Sequence, residues 1–582
     1  MVLQFLDQSL PDIISEVAAL DKKHADDDTR FVVDLHANCT VDQFIPIIKA
    51  ELYQRHVTPR FRQGDYDTYL QELLASQTGL GSEPPDIGIV ILHAENFCIL
   101  DDQGIIDLEL SEERLINFLG AIADRSYPML ISNLAWPKNS SSYDNKDNSR
   151  SVEKLNVLIL ETVGASSSLW LLDHHLVASA LGTHAAFDRR AWFRFKAPFS
   201  IDFIKSIASD IGQIVADLKG LSRKCLLLDC DNTLWGGVVG EDGLEGIELD
   251  PHSYPGIVFY KFQQQIKALE RRGVMIALIS KNNEEDVLEV LENHPHCLLS
   301  KEDLVGYRIN WEDKPSNVGD LVESLNIGMD SVVFIDDSDI ECDLMRQALP
   351  LVETIQVPKK IWGLPAMLPE ARLFSPRRPT TEDGSRTKMY REAAERHNSG
   401  KKFASMDDYL SSLEITAKIE RADKNNIPRI SQLFARTNQF MLTADRPTEA
   451  ELTRLANSDQ AFVYALSSSD KFGELGIIGA LLLEERSEGL AVRSFALSCR
   501  GLGRKLENAF FEAAVSNAIA QVSTKYICSK YQPSKKNAQV SDLYDRFGLI
   551  ISNTSEGEVN YRVKAEDLAV DVPSFIKVVL HV

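Results

Sequence analysis

The chain has 582 residues, which is too long for one hydrophobic core and predicts two to four domains. Its composition is that of an ordinary globular protein, and it has no apolar run of the ~18 residues that a membrane-spanning helix needs. The net charge of -24 disfavours nucleic acid and anionic membranes as partners, so an acidic partner would need a local basic patch.

Two features of the sequence bear on the cellular compartment of the protein. Residues 1–10 lack a basic stretch ahead of an apolar run, so no signal peptide is expected. The eight cysteines are scattered and form no C-x-x-C pair, which favours reduced thiols and a cytoplasmic location.

The first domain is predicted over residues 1–221. Its apolar runs predict buried strands, and the helical pattern between them favours a parallel sheet. The strands are expected at 30–35, 87–92, 129–134 and 169–172, with a helix over 41–54 and a solvated polar loop over 138–151. The candidates for chemistry here are His36, Cys39, Asp173, His174 and His175. They lack the spacing of a motif, so we expect turn and core residues.

The second domain is predicted over 222–375 and carries the clearest chemical signal. Three apolar strands are expected at 225–228, 274–279 and 331–335. The polar residues that follow them are Asp229, Cys230 and Asp231, then Ser280, Lys281 and Asn282, and finally Asp336 and Asp337, with Lys314 between the last two groups. Because parallel strands end at one edge of a sheet, we expect these side chains to meet in one site.

This set of residues suits phosphate chemistry. Asp229 and Asp231 would share one face if the chain stays extended, and they could not both ionise cheaply without a cation. A Mg²⁺ ion would remove that conflict, with Asp336 or Asp337 completing an oxygen site. One aspartate would then attack phosphorus, and the other would exchange protons with the leaving group and with water. The alternative is that these acids are helix caps and loop residues.

Longer stretches of sequence add a resemblance. D-N-T-L-W-G-G-V-V-G-E-D-G at 231–243, S-K-N-N-E-E at 280–285, N-W-E-D-K at 310–314 and F-I-D-D-S at 334–338 resemble the haloacid dehalogenase (HAD) superfamily, and its FkbH-like branch in particular. The resemblance implies an α/β domain with a HAD-like Rossmannoid parallel sheet and a small cap at 236–250. It also implies that Asp229 is the nucleophile and Asp231 the acid/base. The implied phosphate ligands are Ser280, Lys281, Asn282 and Lys314. The implied Mg²⁺ ligands are Asp229, Asp231, Asp336 and Asp337.

FkbH-like proteins are associated with loading a glyceryl group from 1,3-bisphosphoglycerate onto an acyl carrier protein in polyketide-type biosynthesis. The resemblance implies that Cys230 accepts the glyceryl group from the acyl phosphate before the carrier thiol takes it. The residues leave an alternative open, because strand alternation points Cys230 away from Asp229 and Asp231, as expected of a packing thiol. Two further functions stay open: a phosphatase or acyl-group modifying enzyme of glycan biosynthesis that does not use Cys230, and a non-enzymatic carrier-docking scaffold.

The third domain is predicted over 376–582. A charged helix is expected over 382–396, antiparallel strands over 462–466, 476–483 and 492–497, and a further helix opened by residues 500–505. The loop that begins at Arg500 resembles the loop of GNAT acyltransferases whose amides hold pyrophosphate at a helix N-terminus, which implies a GNAT-like α/β fold. By that resemblance, a phosphopantetheine arm would be bound by Arg500, Gly503, Arg504, Asn537 and Tyr544. A basic landing site for an acidic carrier would comprise Arg500, Arg504, Lys505, Lys535 and Lys536.

The first domain resembles the SGNH-like, flavodoxin-like α/β region at the N-terminus of longer family members. The stretch H-A-N-C-T at 36–40 stands where SGNH hydrolases have their serine motif, and residues 173–176 do not supply a D-x-x-H motif. The resemblance therefore implies a non-catalytic scaffold or docking domain.

Overall fold

The computed structural model describes residues 8–25, 30–123, 125–137, 144–166, 168–377, 390, 406–437, 439–522, 524–534, 537–555 and 557–581. The chain forms two compact units, residues 1–218 with 448–454 and residues 219–447 with 455–582. Among the predictions, loop residues 138–143, Lys535, Lys536 and all of the charged helix over 382–396 except Tyr390 lie outside the described residues.

The first unit contains a five-stranded parallel sheet. Its strands are β1 (Phe31–Ala37), β2 (Pro59–Gln63), β3 (Ile87–Ile91), β4 (Met129–Ser132) and β5 (Leu169–Leu172), in the order β2-β1-β3-β4-β5. Its helices are Leu10–Lys23, Phe44–Gln54, Tyr69–Ala75, Ala94–Phe97, Leu108–Ala123, Asp144–Ala165, His174–Leu181, Thr183–Ala186, Arg189–Phe195 and Ile201–Leu218. The central strand β3 is buried along its whole length, which is why its apolar run predicts a strand. The edge strand β2 is polar and partly exposed, so no such run announces it.

The loop predicted over 138–151 is wrong for residues 144–151, which belong to helix Asp144–Ala165. The reason lies in Asn148, a buried polar residue. Its side chain accepts a hydrogen bond from the backbone N–H of Ile106 (2.9 Å) and donates one to the carbonyl of Gly104 (2.9 Å). Composition alone favours a loop, because it does not reveal that a polar side chain such as Asn148 is buried and hydrogen-bonded.

The chemically suggestive residues of the first unit have structural partners. Nδ1 of His36 lies 2.6 Å from Oε2 of Glu72. Asp173 caps helix His174–Leu181 by accepting a hydrogen bond from the backbone N–H of Leu176 (2.9 Å). His174 is buried and packs against two phenylalanine rings. These contacts are those of turn and core residues.

The second unit begins with another five-stranded parallel sheet. Its strands are β6 (Cys225–Leu228), β7 (Met275–Ser280), β8 (Leu304–Ile309), β9 (Val332–Asp336) and β10 (Glu353–Gln356), in the order β10-β9-β6-β7-β8. The helices of this part are Val239–Gly246, Gly256–Arg271, Glu284–Asn293, Lys314–Ser324, Asp339–Ala348 and Leu364–Ala371. Every residue of β6, β7 and β9 is buried, so these three strands follow from their apolar runs. The edge strands β8 and β10 mix polar and apolar residues and are not predicted.

The rest of the second unit contains an eight-stranded sheet. Its strands are β11 (Thr416–Arg421), β12 (Ala461–Asp470), β13 (Gly473–Arg486), β14 (Gly489–Leu497), β15 (Tyr526–Tyr531), β16 (Ile550–Ser555), β17 (Glu558–Lys564) and β18 (Lys577–His581), in the order β16-β17-β15-β14-β13-β12-β11-β18. The helices of this part are Met406–Ser411, Ile427–Arg436, Leu506–Ile519 and Leu543–Arg546, while most of helix Glu449–Ala456 belongs to the first unit. The α/β fold class predicted from the sequence is confirmed.

Strands β14 and β15 diverge, although they are parallel neighbours. They pair only where residues 490–492 meet 527–529. Farther along, Met441 forms a bridge with Ala496 of β14, and the adjacent carbonyl of Leu442 accepts a hydrogen bond from the backbone N–H of Gln532 (2.8 Å), just after β15. The chain's own segment therefore bonds to both strands where they separate.

None of the helices in the described part of the chain combines the length and the apolar character that crossing a membrane requires.

We expect Leu227→Ala, in the fully buried strand β6, to lower the free energy of unfolding by about 2–5 kcal/mol, because it leaves a cavity under the central sheet. The matched control is Leu344→Ala, at an exposed leucine, which should change it by less than about 0.5 kcal/mol. Urea unfolding of both variants measures the difference. Equal losses would contradict the assignment of β6 to the core.

Candidate active site

The site is built at the carboxyl end of β6, the central strand of the second sheet. Leu228, the last residue of β6, pairs with Leu278 of β7 and Ile335 of β9. Asp229 follows at once, and its backbone N–H donates to the carbonyl of Ile335 (3.0 Å). The register therefore brings the residues that end three adjacent strands to one edge, as the sequence predicts.

Lys314 connects two of these strand ends. Its Nζ lies 2.9 Å from Oδ1 of Asp229 and 2.6 Å from Oδ2 of Asp336. The lysine opens helix Lys314–Ser324, whose start is fixed by Asp313, which accepts a hydrogen bond from the backbone N–H of Ser316 (2.9 Å). Ser280, from the end of β7, donates its hydroxyl hydrogen bond to Oδ1 of Asp229 (2.8 Å).

Burial and charge act against each other in this cluster. Burial raises the pKa of Asp229, while the Lys314 ammonium group pulls it back down. Burial by itself lowers the pKa of Lys314, but the carboxylates of Asp229 and Asp336 more than offset that and hold it above its usual value. Lys314 therefore stays charged in an almost dry site.

Three carboxyl groups are close enough to share a cation. One oxygen each from Asp229, Asp336 and Asp337 lies within 4.8 Å of the others. The backbone N–H of Ser338 fixes Asp336 by donating to its Oδ1 (2.9 Å). Hard oxygen donors at this spacing fit Mg²⁺, and both candidates that the sequence left open, Asp336 and Asp337, belong to the group.

Asp231 is held apart from this group, on the side of the predicted cap. Its Oδ1 accepts hydrogen bonds from the indole N–H of Trp235 (2.9 Å) and the backbone N–H of Val239 (3.1 Å). Its Oδ2 accepts one from the Asn282 side chain (2.8 Å). Three donors orient this carboxylate beside the nucleophile candidate, as an acid/base residue requires. Two predicted site residues, Asp231 and Asn282, are therefore hydrogen-bonded to each other.

The predicted small cap takes the form of a short helix, Val239–Gly246. The turn into it depends on Gly237, whose φ of +91° favours glycine, and on the side chain of Asn232, which accepts a hydrogen bond from the Gly237 N–H (3.1 Å). A bridge between Gly236 and Glu248 closes its base.

Cys230 lies inside the site but is fully buried. The strand ends before it: the backbone N–H of Leu234 donates to the Cys230 carbonyl (2.8 Å), so the chain has already turned. The carboxylates of Asp229 and Asp231 and the ammonium group of Lys314 all act on the pKa of its thiol, so the thiol lies near the site. Burial raises the pKa of the Cys230 thiol well above its usual value, and the carboxylate of Asp229 adds to this. The thiol is therefore protonated at neutral pH.

Lys281 has a partner that the sequence does not predict. Its Nζ lies 2.7 Å from Oε1 of Glu341, on helix Asp339–Ala348. Lys281 follows β7 and this helix follows β9, while β6 lies between those two strands. The ion pair therefore spans the edge at which Asp229 lies, and Glu341 competes with any phosphate for the lysine.

Three of the residues predicted to hold a phosphopantetheine arm, Arg500, Arg504 and Asn537, are bonded within the chain. The guanidinium of Arg500 donates to the Leu475 carbonyl (2.8 Å), and that of Arg504 pairs with Asp470 (2.9 Å). The Asn537 amide donates to two backbone carbonyls, and its oxygen accepts from the Tyr531 hydroxyl (3.1 Å). Gly503, with a φ of +75°, precedes helix Leu506–Ile519. Tyr544 is buried, and burial raises the pKa of its hydroxyl.

Two residues of the site escape sequence reasoning. Trp235 donates a hydrogen bond to Asp231, four residues earlier. A tight turn after Asp231 would bring these two residues together, so the contact could have been predicted only if that turn had been assumed. Glu341 holds Lys281, but the two are 60 residues apart and only the strand order brings them together.

Comparisons with known proteins agree with this geometry. The chain is similar to the structure of the N-terminal part of the protein BF1531 from Bacteroides fragilis, which contains a phosphatase domain complexed with Mg. The two chains are 25% identical, with a TM-score of 0.57, and the match covers 62% of this chain and 98% of that one. The HAD-like α/β fold predicted for the second domain is confirmed.

Other matches cover a smaller part of the chain. The ribosomal-protein-S18-alanine N-acetyltransferase from Escherichia coli matches 25% of this chain and 93% of its own, at 10% identity and a TM-score of 0.20. An acetyltransferase of the GNAT family from Streptococcus pneumoniae matches 25% of this chain and 98% of its own, at 17% identity and a TM-score of 0.19. No protein-family model matches the chain, and no curated protein does.

We expect Glu341→Gln to release Lys281 and to strengthen the binding of inorganic phosphate by up to about fivefold, because a partly exposed ion pair contributes about 0.2–1 kcal/mol. Isothermal titration calorimetry with inorganic phosphate measures the change. The control is Glu285→Gln, at an exposed glutamate of helix Glu284–Asn293, which should leave the affinity unchanged. Weaker or equal binding in Glu341→Gln would remove Lys281 from the phosphate ligands.

Proposed function

We propose that the second domain is a Mg²⁺-dependent phosphohydrolase that uses Asp229 as its nucleophile. The observation that carries the proposal is the position of Lys314, whose ammonium group lies within 3 Å of both Asp229 and Asp336 at the edge where Ser280 and Asp337 also lie. A lysine that lies between two carboxylates can remain protonated in a buried site. Its positive charge can then stabilise a phosphoryl group that binds there. The Mg complex of BF1531 supports the choice of metal.

The proposed reaction has two steps. In the first, a carboxylate oxygen of Asp229 attacks phosphorus, the bond from phosphorus to the leaving oxygen breaks, and Asp231 gives that oxygen a proton. In the second, Asp231 takes a proton from water as the water attacks the phosphorus of the aspartyl phosphate, which frees phosphate and restores Asp229. Lys314 and Ser280 donate hydrogen bonds to the phosphoryl oxygens. Bound Mg²⁺ would supply the charge that keeps these carboxylates and the phosphate together.

We further propose that the natural substrate is a group carried on a protein. The cap is one short helix, and two large apolar side chains, Trp311 and Ile340, are exposed just before Lys314 and just after Asp337. A cap of this size leaves room for a large group at the site, and the two exposed side chains offer apolar contact area to a macromolecule. This supports a large substrate over a small phosphate ester.

The finer form of this proposal is glyceryl transfer from 1,3-bisphosphoglycerate to an acyl carrier protein. The sulfur of Cys230 attacks the acyl carbon, the bond from that carbon to the phosphate oxygen breaks, and the thiol proton leaves with the phosphate. Asp229 then removes the 3-phosphate, and the carrier thiol displaces Cys230 to form the final thioester. The proposal is supported by the position of Cys230 between Asp229 and Asp231, where the chain has already turned and both carboxylates act on its thiol.

One observation favours a second function, a phosphatase or acyl-group modifying enzyme that does not use Cys230. Attack requires a thiolate, and both burial and neighbouring carboxylates hold the pKa of this thiol high. On this alternative, Cys230 is a buried packing thiol and takes no part in the chemistry.

For the third domain we propose a GNAT-like role in holding the phosphopantetheine arm of the carrier. Because Arg500 and Arg504 already have partners, the arm would depend on the backbone N–H groups at the start of helix Leu506–Ile519. The segment around Met441, which bonds to both diverging strands, would have to move if the arm is to lie between β14 and β15.

We expect Asp229→Asn to lower phosphate release from small phosphate esters by at least about a thousandfold, because the amide cannot attack phosphorus. The control, Asp343→Asn, changes an exposed aspartate and should keep full activity. Chelation of divalent cations should have the same effect as Asp229→Asn, and added Mg²⁺ should restore the rate. Phosphate release by Asp229→Asn near the wild-type rate would rule out this nucleophile.

We expect the wild type, incubated with 1,3-bisphosphoglycerate and Mg²⁺, to gain a glyceryl adduct that Cys230→Ala does not form. The control, Cys297→Ala, removes a partly buried thiol on another segment and should keep the adduct. Intact-protein mass spectrometry reports the adduct and its passage to a phosphopantetheinylated carrier. An adduct on Cys230→Ala would contradict glyceryl transfer through this cysteine, while phosphate release without any adduct would favour the second function.

A further inference from the structure

A short segment of the first unit forms an exposed basic and aromatic surface. Residues 189–196 read Arg-Arg-Ala-Trp-Phe-Arg-Phe-Lys, and most of them form helix Arg189–Phe195. Phe193 is 72% exposed and Phe195 is 61% exposed. The exposed members, which we call the basic aromatic patch, are Arg189, Arg190, Phe193, Arg194, Phe195 and Lys196.

Backbone hydrogen bonds and buried side chains on either side of the patch fix its position. Phe187 and Phe199, on either side of the segment, are buried and form a bridge, and the backbone N–H of Asp188 donates to the Pro198 carbonyl (2.8 Å). The backbone N–H of Thr40 donates to the Lys196 carbonyl (2.8 Å), which ties the segment to the loop after β1. The exposed rings therefore belong to an anchored surface, and they do not result from a frayed end.

The four cations of the patch remain available for a partner. Within the described residues, none of Arg189, Arg190, Arg194 and Lys196 forms an ion pair with a carboxylate. Lys196 lies over the Trp192 ring at 4.6 Å, and Arg194 lies over the Phe195 ring at 5.2 Å. The nearest acid along the chain, Asp188, is engaged as the helix cap, accepting from the backbone N–H of Ala191 (2.8 Å). In a chain with a net charge of -24, eight consecutive residues with four cations and no acid are a distinct local feature.

We propose that the basic aromatic patch is a docking surface for an acidic protein, namely the acidic carrier protein of the proposed function. The identity of this partner rests on the proposed function. Arginine and aromatic side chains are the residues that contribute most to protein interfaces. The screening length at physiological salt is about 8 Å, so the four cations of the patch can attract an acidic protein at short range although the remainder of the chain is acidic. An anionic membrane extends well beyond eight residues and is disfavoured by the net charge of -24, so charge complementarity favours the protein.

The test uses the full chain and a phosphopantetheinylated acyl carrier protein. In the double variant Arg190→Glu with Arg194→Glu, and separately in Phe193→Ser with Phe195→Ser, the dissociation constant should rise at least tenfold. In the charge variant, binding should also lose most of its dependence on salt. The matched controls are Arg60→Glu and Leu176→Ser, which change an exposed arginine and an exposed leucine elsewhere in the first unit and should bind as the wild type does. Phosphate release from small esters should be unchanged in all four.

The outcomes separate this proposal from the proposed function. Loss of carrier binding in the patch variants supports docking even if the wild type proves to have no phosphatase activity. Equal binding by the wild type and both patch variants, or no binding by the wild type, overturns docking even if phosphatase activity is intact. Binding of the wild type to phosphatidylserine vesicles but not to the carrier, lost in the patch variants, overturns it in favour of a membrane surface.

Discussion

The position of Lys314 between Asp229 and Asp336 is the interaction on which the rest of the site depends. Two buried carboxylates from neighbouring strands would repel each other, and burial alone would drive the lysine towards its neutral form. With the lysine between them, both carboxylates hold the pKa of Lys314 above its usual value, so its ammonium group stays charged and pairs with each of them. This arrangement requires parallel strands in register, because β6 and β9 must end at the same level for one ammonium group to reach both. The register of the parallel sheet thus positions the three charged groups so that they stabilise one another in a buried site.

The same edge separates two aspartates that lie only two residues apart. Asp229 contacts Lys314 and belongs to the candidate metal site with Asp336 and Asp337, whereas Asp231 is turned towards Trp235 and Asn282. Their surroundings give them different chemical roles: one is a nucleophile candidate in a charged, buried cluster, and the other is an acid/base candidate held by neutral donors. Cys230 lies between them without any group that lowers its pKa enough to make a thiolate at neutral pH. The choice between glyceryl transfer and simple phosphate release therefore depends on the state of one buried thiol.

The sequence predicts the strands that are buried on both faces and much less of what borders them. The apolar runs of β6, β7 and β9 identify the central sheet, and the polar residues after them identify the site. The edge strands β2, β8 and β10 carry mixed residues, so no periodicity reveals them. The partnership of Lys281 with Glu341 depends on strand order, which no local pattern encodes. The turned conformation at Cys230 is also not predicted, because simple alternation assumes that the chain stays extended as far as Asp231, whereas β6 ends at Leu228.

The central claim is that a phosphoryl group is transferred to Asp229. It can be tested most directly in Asp231→Asn, which retains the nucleophile but lacks the acid/base group that would activate water. After a rapid acid quench during turnover of an activated phosphate ester with Mg²⁺, peptide mass spectrometry should locate a phosphoryl group on Asp229. Continued release of phosphate with no phosphoryl group on Asp229, or with the group on another residue, would contradict the account.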